Sequence, residues 1–342
     1  MDQFSAHLDR GWDLVQRGDP LGAEQSARRA LELDNHSPEA YNLLGYVAAL
    51  RGDYEDAIES YHQAVSLDDT YLEAMLNAAE VYVHPLGEYD EAIRLCDQAL
   101  ELAETDDETV DALLLCFDAY LGKGDMARAE QLCLRFPTGP FDNPTHTFLV
   151  GRAFFEVEKI HRAAELIEES VKANPNNPDA YYYLGLIHDE RGNVEDATRA
   201  FLRSRELDQE FPPPPWSLSR ETFYLTVERA LANVDPSLSG YLRSSDIFVA
   251  DLPGVEVVVD GVDPRASLLL DALRTDVGQP QKARLFVYQR NVERLAGGLE
   301  GLEAEICASL EREIRNLFPQ GEPANEAPVS DPPMLDSPKP SH

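Results

Sequence analysis

The sequence predicts a mainly α fold, in which a helical solenoid over residues 1–210 is followed by a small α+β domain. Glycine, alanine and aromatic residues recur in the first part with a period close to 34 residues. Four consecutive prolines, Pro212–Pro215, then end that period, because proline lacks the backbone N–H that a continuing helix needs. Short runs rich in Val, Ile and Phe follow, and they are typical of strands.

The stretch Pro38–Asp69 defines the repeating unit. It carries, in order, Tyr41, Leu44, Gly45, Gly52, Ala57, Tyr61 and Ala64. Large residues alternate with small ones on both sides of a helix-breaking glycine, which predicts two antiparallel helices in close contact. A single hairpin of this kind cannot bury its apolar face, so the unit predicts neighbours of the same type.

The pattern recurs on both sides of that stretch. The other predicted units are Phe4–Ser37, Tyr71–Glu104, Val110–Thr138, Pro144–Asn177 and Pro178–Phe211. The third unit has one extra residue, which we place in the turn around Pro85 and Gly87. The fourth is degenerate, because Phe136 stands where alanine is expected and Pro137 follows it. Six copies in this register resemble the tetratricopeptide repeat family, whose unit is a helix–turn–helix of about 34 residues.

The charge of the chain is strongly acidic, with a formal net value of −34. Residues 1–210 contain 43 acidic and 17 basic side chains, so the repeats carry most of this charge. Such a field repels nucleic acid and anionic membrane surfaces, and it favours a basic partner or serves solubility alone.

The cellular setting is predicted from the cysteines and the hydropathy. The four cysteines (Cys96, Cys116, Cys133 and Cys307) are widely separated and form no CxxC pair, so we expect buried thiols in a reducing compartment. No membrane span or secretory signal is visible, which predicts a cytoplasmic location. An excess of arginine over lysine, 24 to 5, favours a bacterial source.

The part after the tetraproline predicts a domain over residues 216–318. A helix is expected from Ser219 to about Asn233, strands at Asp246–Ala250, Glu256–Asp260 and Ala283–Gln289, and a last helix at Leu302–Leu317. Residues 211–215 are predicted to form a polyproline linker. The proline-rich tail 319–342 is predicted to be disordered.

The order of these segments resembles a bacterial family of minimal, zincin-like (metzincin-like) metallopeptidase domains. The matching segments are WSLSRETFYLTVERALANVDPSL, SDIFVADLP, GVDPRASLLLDAL and ARLFVYQRNVERLA. The resemblance implies a catalytic helix with two zinc-binding histidines at i and i+4 and a glutamate as general base. Here Glu313 keeps the base position, but Arg312 and Asn316 stand at the ligand positions. Arginine offers no lone pair to a metal, so we predict a vestigial motif with no bound metal and no cofactor.

A binding groove is the remaining candidate site. By register, the first helices of the repeats line a concave face, and its candidate residues are Asn42, Tyr46, Leu76, Glu80, Phe148, Arg152, Phe155, Tyr182 and Leu186. This mixture of aromatic, aliphatic and acidic groups suits a peptide or protein with apolar and basic side chains. The alternative is that the aromatic residues only pack between repeats.

Two functions remain open on the sequence. The first is a non-catalytic interaction scaffold whose second domain is a pseudoenzyme. The second is an atypical metal-dependent hydrolase that uses Glu313. The chaperone-binding members of the repeat family carry a basic clamp for acidic peptides, and its equivalent positions here contain no lysine or arginine. Those positions are Leu8, Trp12, Asn42, Tyr46, Glu73 and Asn77.

Overall fold

The structure is a computed structural model that describes residues 2–234, 246–272 and 283–317. It divides into two compact units, Met1–Asn193 and Val194–His342. The divide falls between the two helices of the predicted sixth repeat, one helix earlier than the predicted boundary at residue 210. The predicted disordered tail, 319–342, lies outside the described residues.

The first unit is a succession of helix pairs, as the period predicts. Its helices are α1 (Gln3–Gln16), α2 (Pro20–Leu33), α3 (Pro38–Arg51), α4 (Tyr54–Leu67), α5 (Leu72–Val81), α6 (Tyr89–Leu102), α7 (Asp106–Gly122), α8 (Met126–Cys133), α9 (Pro144–Glu156), α10 (Ile160–Ala173) and α11 (Pro178–Glu190). Polar caps fix several starts: the Ser37 side chain accepts from the Ala40 N–H, and Pro38 occupies the first helical position, where its missing N–H costs nothing.

Small residues allow the helices of a pair to approach closely. Ala57 and Ala64 have no exposed surface, and Tyr61 of α4 is only 1% exposed. The Tyr61 ring lies directly against Gly45 of α3, where a Cβ atom would be 2.6 Å from the ring carbons Cδ1 and Cε1. Gly52 then ends α3 in the left-handed conformation, with φ of 81°. The roles predicted for Gly45 and Gly52 are therefore confirmed.

The third and fourth repeats are irregular where the sequence departs from the period. The extra residue of the third repeat is accommodated by a π-helical turn, Tyr82–Leu86, which follows α5 and contains Pro85. Gly87 closes this turn with φ of 65°. In the fourth repeat the second helix, α8, has only eight residues and ends at Cys133.

Three of the cysteines are buried in the first unit, as predicted. Burial raises the pKa of Cys116 to about 12 and that of Cys133 to about 11. The pKa of Cys96 is also raised by burial. Thiols of this kind are poor nucleophiles at neutral pH, which fits a packing role.

The second unit begins with α12 (Val194–Glu210) and surrounds a three-stranded sheet. Its other elements are α13 (Arg220–Asn233), β1 (Asp246–Ala250), α14 (Val255–Val259), β2 (Leu268–Ala272), β3 (Ala283–Tyr288), α15 (Gln289–Ala296) and α16 (Leu302–Leu317). The strand order is β1-β3-β2; β1 pairs with β3 in parallel and β2 pairs with β3 antiparallel. Apolar residues of α13 and α16, such as Phe223 and Leu310, form one core with the sheet residues Leu285 and Val287.

The secondary structure predicted for this unit is confirmed at its two ends and is wrong in the middle. The helices that begin at Arg220 and Leu302 and the strands β1 and β3 lie where expected. The strand predicted at Glu256–Asp260 is wrong: Val255–Val259 is a short helix whose backbone is satisfied locally, for example by the hydrogen bond from Val258 N to Gly254 O. Strand β2 is not predicted by the sequence pattern, and it takes its register from β3.

Helix α12 is held within the second unit by arginines. The Arg265 guanidinium lies 3.2 Å and 3.3 Å from the two carboxylate oxygens of Asp208, and both side chains are largely buried. The last carbonyl groups of a helix have no partners within the helix. At the end of α12, Arg290 donates to the carbonyl oxygens of Asp208, Gln209 and Phe211. The C-terminal end of α12 is thus tied to the sheet domain.

The residues on both sides of Pro212–Pro215 are held by hydrogen bonds, before it by Arg290 and after it by Glu293. Glu293 of α15 is 1% exposed and accepts hydrogen bonds from the Ser217 hydroxyl, the Leu218 N–H and the Gln289 amide. Pro212–Pro215 therefore connect two anchored points of the same compact unit, and they do not lie at the divide between the units.

Candidate functional site

Two adjoining pockets are lined by the first helices of repeats two to five, together with α4 and the π-helical turn. The proximal pocket, about 440 Å³, is lined by Tyr46, Ala49, Leu50, Tyr54, Tyr61, Asn77, Glu80, Val81, His84 and Pro85. The distal pocket, about 590 Å³, is lined by Leu72, Glu73, Leu76, Asn77, Glu80, His84, Asp111, Leu114, Leu115, Asp118, Leu149 and Arg152. Asn77, Glu80 and His84 belong to both, so α5 and its π-helical turn form the ridge between them.

The charge of the two pockets is dominated by carboxylates. Asp118 binds Arg152 through both carboxylate oxygens, at 2.8 Å and 3.0 Å, which neutralises the one guanidinium among the lining residues. Asp111 lies 2.8 Å from the ring of His146. Glu80 is exposed on the ridge, where its carboxylate can form an ion pair with a positively charged group of a ligand. Glu73 adds a further carboxylate to the distal pocket. The pKa of the Tyr71 hydroxyl is raised mainly by burial and also by the charge of the neighbouring Glu73.

The proximal pocket offers the larger aromatic surface. Tyr46 is half-buried and meets Trp12 edge to face at 5.3 Å between ring centroids. Tyr54 and the exposed Leu50 also line this pocket. Aromatic side chains with a polar tip provide rigid contact area at low entropic cost, so this pocket suits a large apolar side chain.

Four of the predicted groove residues line these pockets together, namely Tyr46, Leu76, Glu80 and Arg152. Asn42 does not, because its side chain has no exposed surface. Its amide donates to the Tyr71 hydroxyl at 3.3 Å and accepts from Asn77 at 3.0 Å. The prediction that Asn42 belongs to the binding surface is therefore wrong. Asn42 is a buried residue that accepts a hydrogen bond from Asn77, which lines the pockets.

The other four predicted residues lie outside the two pockets. Phe148 is 6% exposed and packs edge to face on Tyr183, so for this side chain the packing interpretation applies. Phe155 and Tyr182 also contact the Tyr183 ring, at 5.4 Å and 5.9 Å between centroids. Leu186, the fourth, is half-buried on α11.

Three residues that line the proximal pocket, His84, Tyr54 and Pro85, are not predicted from the sequence. For His84 and Pro85 the one-residue excess in the third repeat is the available signal, because both residues lie in the π-helical turn that accommodates it. Tyr54 is the first residue of α4, in the second repeat, and no such excess marks it. The sequence pattern also does not predict that Asp111 pairs with His146 and Asp118 with Arg152 of the next repeat.

Comparison with known proteins identifies the repeats. The tetratricopeptide repeat family matches residues 8–71, 48–108 and 149–210. Residues 1–210 consist of tetratricopeptide repeats. Because the helix pairs, the register and the family matches agree, the repeat prediction is confirmed for this part of the chain.

The curated relatives are much longer than the matched repeats. An Hsp70-Hsp90 organizing protein 3 of Arabidopsis thaliana is 25% identical over 204 residues, which covers 49% of this chain and 36% of that protein. A shorter match, 40% identical over 57 residues, is to an Hsp70-Hsp90 organizing protein of Triticum aestivum and covers 17% of this chain and 10% of that protein. The chain thus spans about a third or less of these relatives.

Solved structures support the same fold. A structure of PilW, described as a type IV pilus biogenesis factor, has a TM-score of 0.52, is 18% identical, and covers 65% of this chain and 97% of that one. The pilF protein of Pseudomonas aeruginosa has a TM-score of 0.51, is 17% identical, and covers 61% and 93%. At this identity the likeness shows a shared repeat fold and nothing about partners.

Helix α16 contains Arg312, Glu313 and Asn316, the three residues of the predicted motif. Arg312 donates to Glu305 at 3.3 Å and to the Ser309 hydroxyl at 2.9 Å. Glu313 is half-buried and Asn316 is exposed. Among residues 2–234, 246–272 and 283–317, no group of three or more His, Cys, Asp and Glu side chains is arranged to hold a metal ion. Within the same ranges, no helix is long and apolar enough to cross a membrane.

Proposed function

We propose that this protein is a non-catalytic, cytoplasmic interaction scaffold that binds a partner peptide or protein in the groove formed by the proximal and distal pockets. The observation that carries the proposal is the continuity of the two pockets across the Asn77, Glu80 and His84 ridge. A ligand that crosses this ridge meets an aromatic wall first and carboxylates next. The partner therefore presents a large apolar side chain beside a lysine or arginine.

The organizing-protein relatives suggest a chaperone peptide as an alternative partner. The groove argues against an acidic peptide of that kind, since Glu73 and Asn77 stand at clamp positions and Asp118 already neutralises Arg152. An acidic peptide would bring its carboxylates against Glu80 without a free cation from the lining residues to compensate them.

The Glu80 ridge gives the direct test of partner chemistry. A peptide-display selection on the full chain is expected to enrich sequences with Lys or Arg next to Leu, Phe or Tyr. Glu80→Lys is expected to weaken the selected peptides about tenfold, because it replaces attraction by repulsion at the centre of the groove. Binding is measured by calorimetry, and raising the salt concentration should weaken it in the wild type.

The matched control is Glu101→Lys. Glu101 is exposed on α6, outside both pockets, and its replacement makes the same change in net charge. Enrichment of acidic peptides, or an equal loss of affinity in the two variants, would count against the proposed partner.

We further propose that residues 216–318 form a pseudoenzyme of the zincin-like type. The supporting observation is that Arg312 is engaged by Glu305 and Ser309 on its own helix, so the first ligand position holds a paired cation. The strand and helix order, with α16 packed on the sheet, is compatible with the resemblance found in the sequence.

Metal analysis separates this pseudoenzyme from an atypical hydrolase that uses Glu313. The purified full chain, dialysed against zinc, is expected to retain no stoichiometric metal by mass spectrometry. The double variant Arg312→His/Asn316→His, which restores two imidazoles at i and i+4, serves as positive control and is expected to bind zinc. One zinc per wild-type chain, together with a hydrolytic activity that Glu313→Gln abolishes, would establish the hydrolase instead.

A further inference from the structure

The sheet of the second unit has one face packed on helices and one face that is partly exposed. Leu285 and Val287 of β3 have no exposed surface and belong to the core with α13 and α16. Side chains alternate along a strand, so the residues between and beside them point the other way. There Phe248 of β1 is 45% exposed. The five residues that form this outer face are Asp246, Phe248, Asp271, Arg284 and Phe286.

One half of the outer face already contains a bound arginine. Arg284 of β3 and Asp271 of β2 are partners in the strand register, and their side chains form an ion pair. The Arg284 guanidinium also lies over the Phe286 ring, at 5.9 Å from its centre. A guanidinium group suits such a place, because the carboxylate accepts from its N–H groups while the ring attracts its planar face.

The other half of the outer face repeats the carboxylate and the ring. On β1, Asp246 is the register partner of Arg284, and Phe248 is the register partner of Phe286. The two phenylalanine rings stack at 5.1 Å between centroids and 21° between planes. Asp246 is exposed, and within residues 2–234, 246–272 and 283–317 its carboxylate has no hydrogen-bond or ion-pair partner. An unpaired carboxylate and a partly uncovered ring therefore lie two residues apart on one face of an edge strand.

We propose that Asp246 and Phe248 form a docking site for an arginine side chain of a partner protein. The guanidinium lies against the exposed part of the Phe248 ring and donates to the Asp246 carboxylate, as Arg284 does with Phe286 and Asp271. The site is independent of the groove in the repeats, because it is formed by residues of the second unit alone.

Charge complementarity selects this occupant. The outer face carries two carboxylates and one guanidinium, so one further cation balances it. An acidic segment would be repelled by Asp246, and a purely apolar segment would leave that carboxylate unpaired. Lysine brings the charge, but its compact and strongly hydrated ammonium group cannot stack on the ring as a planar guanidinium does.

A nuclear magnetic resonance titration of the full chain tests the site. The probes are the peptide acetyl-Gly-Ser-Arg-Ser-Gly-amide and its counterpart with lysine in place of arginine. The arginine peptide is expected to shift the ring signals of Phe248 and the amide signal of Asp246, with a dissociation constant in the millimolar range because one exposed ion pair contributes little. The lysine peptide should bind about threefold more weakly.

Shifts that appear only at groove residues such as Tyr46 and Glu80, with none on β1, would overturn the docking site while leaving the groove intact as a binding surface. Equal affinity for the two peptides would also overturn it, because the Phe248 ring would then make no contribution.

Two substitutions separate the carboxylate from the ring. Asp246→Asn and Phe248→Leu are each expected to weaken the arginine peptide about threefold. The matched control is Asp260→Asn, which makes the same change in charge at an exposed residue at the end of α14, outside the outer face. Thermal unfolding followed by circular dichroism verifies that each variant is folded. Equal weakening by Asp246→Asn and Asp260→Asn would show a general charge effect and contradict a site at Asp246.

Discussion

Asp208→Ala is expected to lower the free energy of unfolding of the second unit by about 3 kcal/mol. Asp208 and Arg265 are 13% and 14% exposed, and Arg294 approaches the same carboxylate at 3.6 Å. Removing the carboxylate takes a buried ion pair away from Arg265, which costs more than the loss of a surface pair. Hydrogen exchange of the full chain should show faster opening in α12, β3 and α15.

Glu206→Ala is the matched control for Asp208→Ala. Glu206 lies on the same helix and pairs with Arg203, but its side chain is 63% exposed. Exposed pairs of this kind contribute less than about 1 kcal/mol, so this variant should behave almost as the wild type. Equal effects of the two substitutions would show that Asp208 does not anchor α12.

Gly45→Ala is expected to destabilise the first unit by about 2 kcal/mol, although alanine is the better helix former by about 1 kcal/mol. The added methyl group would lie 2.6 Å from two Tyr61 ring carbons, and Tyr61 is 1% exposed with little room to move. Overpacking therefore outweighs helix propensity. Chemical denaturation followed by circular dichroism measures the change.

A double-mutant cycle with Tyr61→Leu identifies the cause. In the Tyr61→Leu background the ring is absent, so Gly45→Ala should cost less or become favourable. A cost that is unchanged in this background would mean that the Tyr61 ring is not what requires glycine at position 45. A stabilising effect of Gly45→Ala alone would also contradict the packing argument.

The groove was partly predictable from the sequence. The repeat register places Tyr46, Leu76, Glu80 and Arg152 on first helices, and the structure brings them to two adjoining pockets. The register does not tell how deeply each side chain is buried. Asn42 turns inward because Tyr71 and Asn77 offer it hydrogen bonds from the next repeat.

Charge in the groove was harder to predict, because it depends on pairs between repeats. Asp118 and Arg152 are 34 residues apart, and Asp111 and His146 are 35 apart, so both pairs join equivalent levels of neighbouring repeats. A count of acidic residues treats Asp111 and Asp118 as free anions. The structure leaves Glu80 as an exposed carboxylate that lines both pockets.

The sequence by itself determined the repeats, since the 34-residue spacing of small and large side chains is a local pattern that each helix pair satisfies with its neighbour. It also located α13, β1, β3 and α16. Only the tertiary structure decided that Val255–Val259 is helical, that β2 joins the sheet, and that α12 is tied to the second unit through Asp208. These outcomes depend on contacts between residues far apart in the chain, which supply hydrogen-bond partners and counter-charges that no local pattern specifies.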